Sequence, residues 1–242
     1  MTLACSRLLD RYGHGVTKLM YAAWGDDLPT TLRDPDLHAR LAAAGVQRLQ
    51  VNVDDEAVAA AMRIPTFDEP IGAIVSIWTD EAPDAASEVL SSVTTRLAGY
   101  EIEERLPIPP PEIADGERMD TLANVAVLRR PEELTVDEWR HNWLVDHTPV
   151  AMATQGTFGY VQNVVVRPVT PDAPRIDAMV EELFPSAAMT DMHAFYGSGG
   201  DDAELNDRFT RLMTSVARFG ADRDLDLVPS SRYVYALEVA AR

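Results

Sequence analysis

Pro107-Ile108-Pro109-Pro110-Pro111, followed by the polar run from Glu112 to Arg118, divides a chain of 242 residues almost in half. Consecutive prolines cannot continue a helix or donate to a sheet ladder, so the sequence on either side forms its own unit. On the C-terminal side, Asn124 to Leu128 reads as a strand. Leu134-Thr135-Val136-Asp137-Glu138 then supplies a Thr-x-x-Glu capping box for a helix. That helix carries Val136, Trp139 and Trp143 on one face and is expected to end before Thr148-Pro149, because the residue before a proline avoids helical conformation.

Phe158 to Val166 is rich in β-branched and aromatic residues and reads as a second strand, and Ala178 to Phe184 as a third. A second helix starts at Asp201-Asp202-Ala203-Glu204 and keeps Leu205, Phe209, Leu212, Met213 and Val216 at helical spacing up to Gly220. Tyr233 to Val239 closes the half as a strand. The N-terminal side repeats the order in shorter form: strand Lys18 to Trp24, helix Asp36 to Ala44, strand Val46 to Val53, strand Gly72 to Trp78, helix Asp84 to Leu97, strand Tyr100 to Leu106.

Strand, helix, strand, strand, helix, strand is the split βαβ arrangement of ferredoxin-like domains, an antiparallel sheet with helices on one face. The expectation is therefore an α+β protein of two tandem ferredoxin-like βαββαβ units, residues 1–106 and 119–242, joined by a Pro-rich linker over 107–118. A bare apolar sheet face is a large exposed patch, so the two helix-free faces should pack together into an internally paired α/β barrel.

The composition, 46% apolar, is ample for packed cores. With 21 basic against 39 acidic side chains the net charge is -18, which repels phosphate backbones and anionic membrane surfaces and argues against nucleic acid as a partner. Cys5 is the only cysteine, so no intrachain disulfide or thiolate metal cluster can form, which fits a reducing cytoplasm; its place near the N-terminus makes it a bystander. Arg7, Asp10, Arg11 and His14 interrupt any signal-like apolar core, and no later run has membrane-spanning length, so a soluble, unexported protein is expected.

One segment resembles a known family: Arg129-Arg130-Pro131-x-x-Leu134-Thr135-x-x-Glu138-Trp139-x-x-x-Trp143-x-x-x-His147-Thr148-Pro149-x-Ala151, with Tyr160-Val161-Gln162-Asn163 at the next strand. It is similar to the EthD domain, whose members share a basic strand end, a capped helix with an aromatic-x-x-x-Trp stripe and a His-x-Pro turn. Asp177 to Phe184 departs from that pattern by lacking a glycine after the aspartate, and the first half lacks both the turn and the paired tryptophans. The resemblance implies a dimeric α/β-barrel fold, here within one chain whose first half is a degenerate partner. It also implies a family that includes cofactor-independent dehydratases, decarboxylases, cyclases and isomerases beside members of no known activity. It places the catalytic or ligand-contacting position at His147 and the pocket-lining aromatic at Trp143.

Apart from the family, His147 is a candidate because a histidine at a helix end can shuttle protons near neutral pH; the competing reading is a cap on the helix carbonyls. Glu181 alternates with Met179 and Leu183, and Glu182 with Val180 and Phe184, so one carboxyl faces each way and desolvation would raise a buried one; the competing reading pairs the carboxylate with Arg167 or Arg175. Tyr160 and Asn163 offer a phenol and an amide for a substrate carbonyl or enolate, but their opposite strand parity keeps them from sharing a pocket. Trp139, Trp143, Phe184 and Tyr196 supply aromatic surface for a substrate. His141, six residues before His147, faces solvent rather than pairing on a metal. Phe195 to Gly200 reads as a flexible loop or lid, with His193 and Tyr196 at its base.

The functional expectation is a cofactor-free lyase or isomerase, with no metal, acting on a small hydrophobic or aromatic carbonyl compound with His147 as base and Tyr160, Asn163 or Glu181 steadying the enolate. The alternatives are a non-catalytic ligand-binding or accessory protein, or a haem-binding barrel with a histidine axial ligand. A homodimer is compatible with each.

Overall fold

A computed structural model describes residues 15–238; Cys5, Arg7, Asp10, Arg11, His14 and Val239 lie outside the described residues. Eight strands form: β1 Thr17–Trp24, β2 Val46–Val53, β3 Ala73–Thr79, β4 Arg96–Ile108, β5 Leu122–Leu128, β6 Gly159–Pro168, β7 Ala178–Phe184 and β8 Asp226–Ala236. They close one antiparallel barrel in the order β1-β3-β2-β8-β5-β7-β6-β4, with β4 returning to β1. The first half contributes β4-β1-β3-β2 and the second β8-β5-β7-β6, the same order counted within each half. The halves were expected to meet through sheet faces; they also join edge to edge, at the seams β2·β8 and β4·β6. Those seams satisfy main-chain N–H and C=O groups that an open edge would leave unpaired.

Alternation along each strand sorts side chains into two compartments. Outside, the helices α1 (Pro35–Ala43) and α2 (Pro83–Ser91) cover the first half, with Leu37, Leu41 and Leu90 packed on Leu19, Tyr21 and Val51. The second half is covered by α3 (Val136–Arg140), a π-helical segment His141–His147, α4 (Thr148–Thr154), α5 (Met192–Tyr196) and α6 (Asp202–Ala217). Inside, one end is apolar, with Met20, Trp24, Ile74, Tyr100, Val127 and Met179 in one cluster, and Phe67 set edge-on against Trp24 at 5.4 Å. The other end is polar, holding the buried Lys18, Gln50, Asn52, Asn163, Glu181 and Arg232.

Four boundaries differ from the sequence expectation. The helix expected over Asp84 to Leu97 stops at Ser91, because Ser92 and Thr94 turn their hydroxyls onto the carbonyls of Val89 and Leu90 and end the turn, and Leu97 belongs to β4. The last strand begins at Asp226 rather than Tyr233 and ends at Ala236; pairing with β5 on one side and β2 on the other draws in Pro229, Ser230 and Ser231, which have little strand propensity of their own. Helical structure also continues past Thr148-Pro149 to Thr154. Pro149 falls in the first turn of α4, where its missing N–H costs nothing, and the Thr148 hydroxyl reaches the carbonyls of Trp143 and Leu144. At the linker, Pro107 and Ile108 extend β4, with Ile108 paired to Tyr160.

Candidate functional site

The sheet itself separates the expected site residues. On β6, Tyr160 and Gln162 point out to the helices while Val161 and Asn163 point into the barrel; on β7, Glu182 and Phe184 point out while Glu181 points in. His147 is in the outer layer with Trp139, Trp143, Tyr160 and Tyr196, whereas Asn163 and Glu181 are across the sheet. A single site joining His147 to Asn163 or Glu181 is therefore not what this fold builds, and the parity argument that kept Tyr160 and Asn163 apart holds.

The outer layer is organised by the capping box and the π-helical segment. Thr135 accepts from Glu138 N–H, and the Glu138 carboxylate accepts from Thr135 N–H in return, which fixes the start of α3 and buries Trp139. The wider turns from His141 to His147 bring Trp143 and His147 onto the buried face; π-helical turns are frequent at functional sites. Trp139 and Trp143 lie 5.1 Å apart, and the Trp139 indole donates to the Phe219 carbonyl.

His147 is 6% exposed, with Nδ1 3.0 Å from Ser215 Oγ and its ring 4.8 Å from Phe219. It does not cap backbone carbonyls, because the helix runs on through it. Burial pushes the imidazole down to about 4, so it is neutral at neutral pH. His147 does not line the cavity inside the barrel, nor does any other histidine among the described residues. His141 stays exposed, 3.6 Å from Asp146.

The chemistry-bearing feature of this layer is a lateral row across three strands: Asn124 on β5, Glu182 on β7 and Tyr160 on β6 are direct cross-strand partners. Gln155, just after α4, donates to Glu182 Oε2 at 3.4 Å. Burial raises the Glu182 carboxyl to about 7, although the residue is only partly enclosed. Tyr160 is buried and its phenol raised by burial and by Glu182, and it accepts hydrogen bonds from the indole of Trp143 and the amide of Gln162. Its own proton is left to donate. Two buried amide oxygens, Asn124 Oδ1 and Gln155 Oε1, have no donor. Neither Arg167 nor Arg175 serves as the expected carboxylate partner: Arg167 pairs with Glu101 at 2.6 Å and Arg175 with Asp177 at 3.1 Å.

Phe184 stacks on Phe195 at 4.3 Å, and Phe195 meets Tyr196 edge-on at 5.1 Å. The segment Phe195 to Gly200, expected to be a flexible loop or lid, starts inside a helix, Met192–Tyr196; Ser198 Oγ lies 2.7 Å from His193 Nδ1, and Gly156 N–H donates to the Phe195 carbonyl at 2.7 Å. Sequence reasoning missed Asn124 and Gln155. The signal for Asn124 was there, as the one polar side chain in Leu122–Leu128.

The inner compartment opens at its polar end into a cavity of about 840 Å³ lined by Lys18, Trp78, Leu106, Val161, Glu181 and Arg232 among others, with Pro109 to Pro111 at its mouth. Glu181 accepts from Arg232 at 3.1 Å, Asn52 at 2.8 Å and Gln50 at 3.0 Å. Burial would raise its carboxyl, but Arg232, Asn52, Lys18 and Gln50 together hold it below the usual range, so it stays ionised. Lys18 donates to Glu104 at 2.5 Å and to Asn163 Oδ1 at 2.7 Å. Among the described residues, no cluster of three or more His, Cys, Asp and Glu is arranged to hold a metal ion, and no helix is long and apolar enough to cross a membrane.

No protein-family model and no curated protein matches the chain, so the EthD resemblance rests on the motif residues alone. Solved structures align over most of it at low identity. An anthrone oxidase-like protein aligns with a TM-score of 0.49 and 12% identity over 94% of this chain and 96% of its own. A putative monooxygenase from Lactobacillus acidophilus NCFM gives 0.46 and 8% over 92% and 96%. A variant chlorite dismutase from Candidatus Nitrospira defluvii gives 0.46 and 9% over 94% of each chain.

Proposed function

We propose that this protein is an enzyme of the cofactor-free lyase or isomerase type, acting on a small hydrophobic or aromatic carbonyl compound in the outer layer of its second half. The observation that carries the reading is the row Asn124–Glu182–Tyr160, closed by Gln155 and Tyr196. A carboxyl near 7 is divided between base and acid at neutral pH, the condition under which one group both takes and returns a proton efficiently. The Glu182 carboxylate removes a proton from the carbon beside the carbonyl, and the C–H electron pair becomes the enolate double bond. The developing charge on oxygen receives the Tyr160 proton as a hydrogen bond. Return of the proton from Glu182 to another carbon isomerises the substrate; its delivery to a β-hydroxyl expels water and completes a dehydration.

On this reading Glu182 replaces His147 as the base, and neutral His147 holds the π-helical segment against α6 through Ser215. The same reading takes residues 1–106 and 119–242 as tandem ferredoxin-like units of the EthD type, with 107–118 as their linker.

The test is hydrogen exchange in D2O, followed by proton NMR, over a panel of aryl ketones and β-hydroxy ketones. Catalysed loss of the α-proton signal is expected, falling by roughly 10²–10⁴-fold in Glu182→Gln and Tyr160→Phe. Near-normal exchange in Glu182→Gln, or no exchange across the panel together with a Glu182 carboxyl that titrates in the ordinary range by carbon-13 NMR, refutes the proposal.

A further inference from the structure

Two glycines meet backbone to backbone beside the Glu182 row. Gly156 comes directly after Gln155 at the end of α4, and Gly197 directly after Tyr196 at the end of α5. The Gly156 N–H donates to the Phe195 carbonyl at 2.7 Å. A Cβ on Gly156 would overlap the Ala194 carbonyl oxygen and stand 3.3 Å from Gly197 N, and one on Gly197 would stand 3.2 Å from Gly156 Cα. We propose that Gly156 is a positioning residue for the Glu182 site: its bare backbone lets the turn after α4 press onto α5, and this contact sets the spacing of Gln155 and Tyr196 around the Glu182 carboxyl. The catalytic consequence rests on the reading of Glu182 as the base; the spacing itself does not.

Gln155 donates to Glu182 Oε2 at 3.4 Å, the outer edge of hydrogen-bond range, and Tyr196 is a buried phenol raised by its own burial and by the Glu182 charge. Arg208 of α6 anchors the Tyr196 side, donating to the Tyr196 carbonyl at 2.8 Å. Gly197 needs glycine for its backbone, with φ at +63°, but Gly156 lies outside the left-handed region. The missing side chain at Gly156 is therefore a matter of space. An alanine there meets a main-chain oxygen, which cannot swing aside as the end of a side chain can. The two segments must part by about 1 Å to reach an ordinary C···O distance. A shift of that size breaks a 3.4 Å hydrogen bond and admits water to a carboxyl that is already partly exposed. Displacements of about 1 Å remote from the chemistry can lower a rate about 10²-fold. The competing reading is close packing that serves the fold alone.

The test is a carbon-13 NMR titration of Glu182 in the full chain, run beside the α-proton exchange assay. In Gly156→Ala the carboxyl should titrate about one pH unit or more below its native value, because loss of burial, the larger influence, outweighs loss of the Gln155 hydrogen bond. Exchange catalysed by the native protein should fall about 10²-fold in this variant, with KM little changed. Gly199→Ala is the control: its φ of +63° strains the turn after α5, but nothing lies within 4 Å to be pushed away, so Glu182 should titrate as in the native protein. Gly197→Asn keeps a left-handed backbone that asparagine tolerates and adds a Cβ needing only a few tenths of an ångström. It should give a smaller downward step, and keeps the test open if Gly156→Ala does not fold. An unchanged Glu182 titration in folded Gly156→Ala, or an equal shift in Gly199→Ala, overturns the proposal. Failure of both Gly156→Ala and Gly197→Asn to fold overturns it too, since the contact then serves the fold. A shifted titration in Gly156→Ala, with no exchange catalysed by the native protein, refutes the base reading and leaves the spacing role standing.

Discussion

Glu182 and His147 are displaced in opposite directions, and their effects on stability nearly cancel until one is removed. The Glu182 carboxyl rises from 4.5 to about 7, so between those values the native state holds a proton that the unfolded chain has lost. Its contribution is complete below the lower value and disappears as pH rises through the upper. The His147 imidazole falls from 6.5 to about 4, so there the unfolded chain takes a proton that the native state refuses. Its contribution is complete above the upper value and disappears as pH falls through the lower. At about 1.36 kcal/mol per pH unit each is worth at most about 3 kcal/mol, less for Glu182 to the extent that solvent reaches it. For these two groups alone, the native protein should be nearly flat in stability between about pH 4.5 and 6.5. Glu182→Gln retains an N–H to offer Asn124 or Gln155 but cannot ionise. Relative to the native sequence, it should gain up to about 3 kcal/mol as pH rises from about 4.5 to 7, and its own unfolding free energy should climb steeply over that interval. Urea unfolding at half-unit steps from about pH 4.5 to 8.5 measures both curves. Parallel curves would refute the assignment of the raised carboxyl to Glu182.

Three further outcomes follow from the barrel. Arg232→Met strands the Glu181 carboxylate inside it, and should cost about 3–5 kcal/mol by chemical denaturation, whereas Arg232→Met combined with Glu181→Leu should recover most of the loss. A protease site placed within Pro109 to Glu112 should yield two fragments that co-elute in size-exclusion chromatography, because the seams β2·β8 and β4·β6 hold them together; separate elution would contradict the closed ring. Protein produced with iron and a haem precursor should show no Soret band, since no histidine among the described residues lines the barrel cavity and His147 is buried outside it; a band abolished by His147→Ala would contradict that placement.

Much of the fold was legible because local signals and tertiary demands agree. The apolar runs of β1 and β3, the Thr135 to Glu138 capping box and the proline run at the midpoint each carry their own cause. Disagreement arises where a distant partner decides. Ser230 and Ser231 are strand only because β5 and β2 flank them, and Pro149 is helical because Thr148 satisfies the carbonyls of the wide turn. The site was half legible for the same reason. Parity showed that Glu181 and Glu182 must diverge, but which one faces the helices depends on the register of β7 between β5 and β6. The Lys18–Asn163 contact joins residues 145 apart, and no local pattern announces it.

A ring of strands drawn from a single chain has a genetic consequence. In a symmetric dimer every substitution is written twice, so a polar residue placed on one side of the shared interior must be tolerated at its mirror position. Here each change is entered once. Lys18 and Glu181 need no charged counterparts on β5 and β3, and His147 and the tryptophan pair need none beneath α1 and α2. One half is therefore free to become scaffold while the other specialises, and the two mouths of the barrel can diverge into a sealed end and an open one.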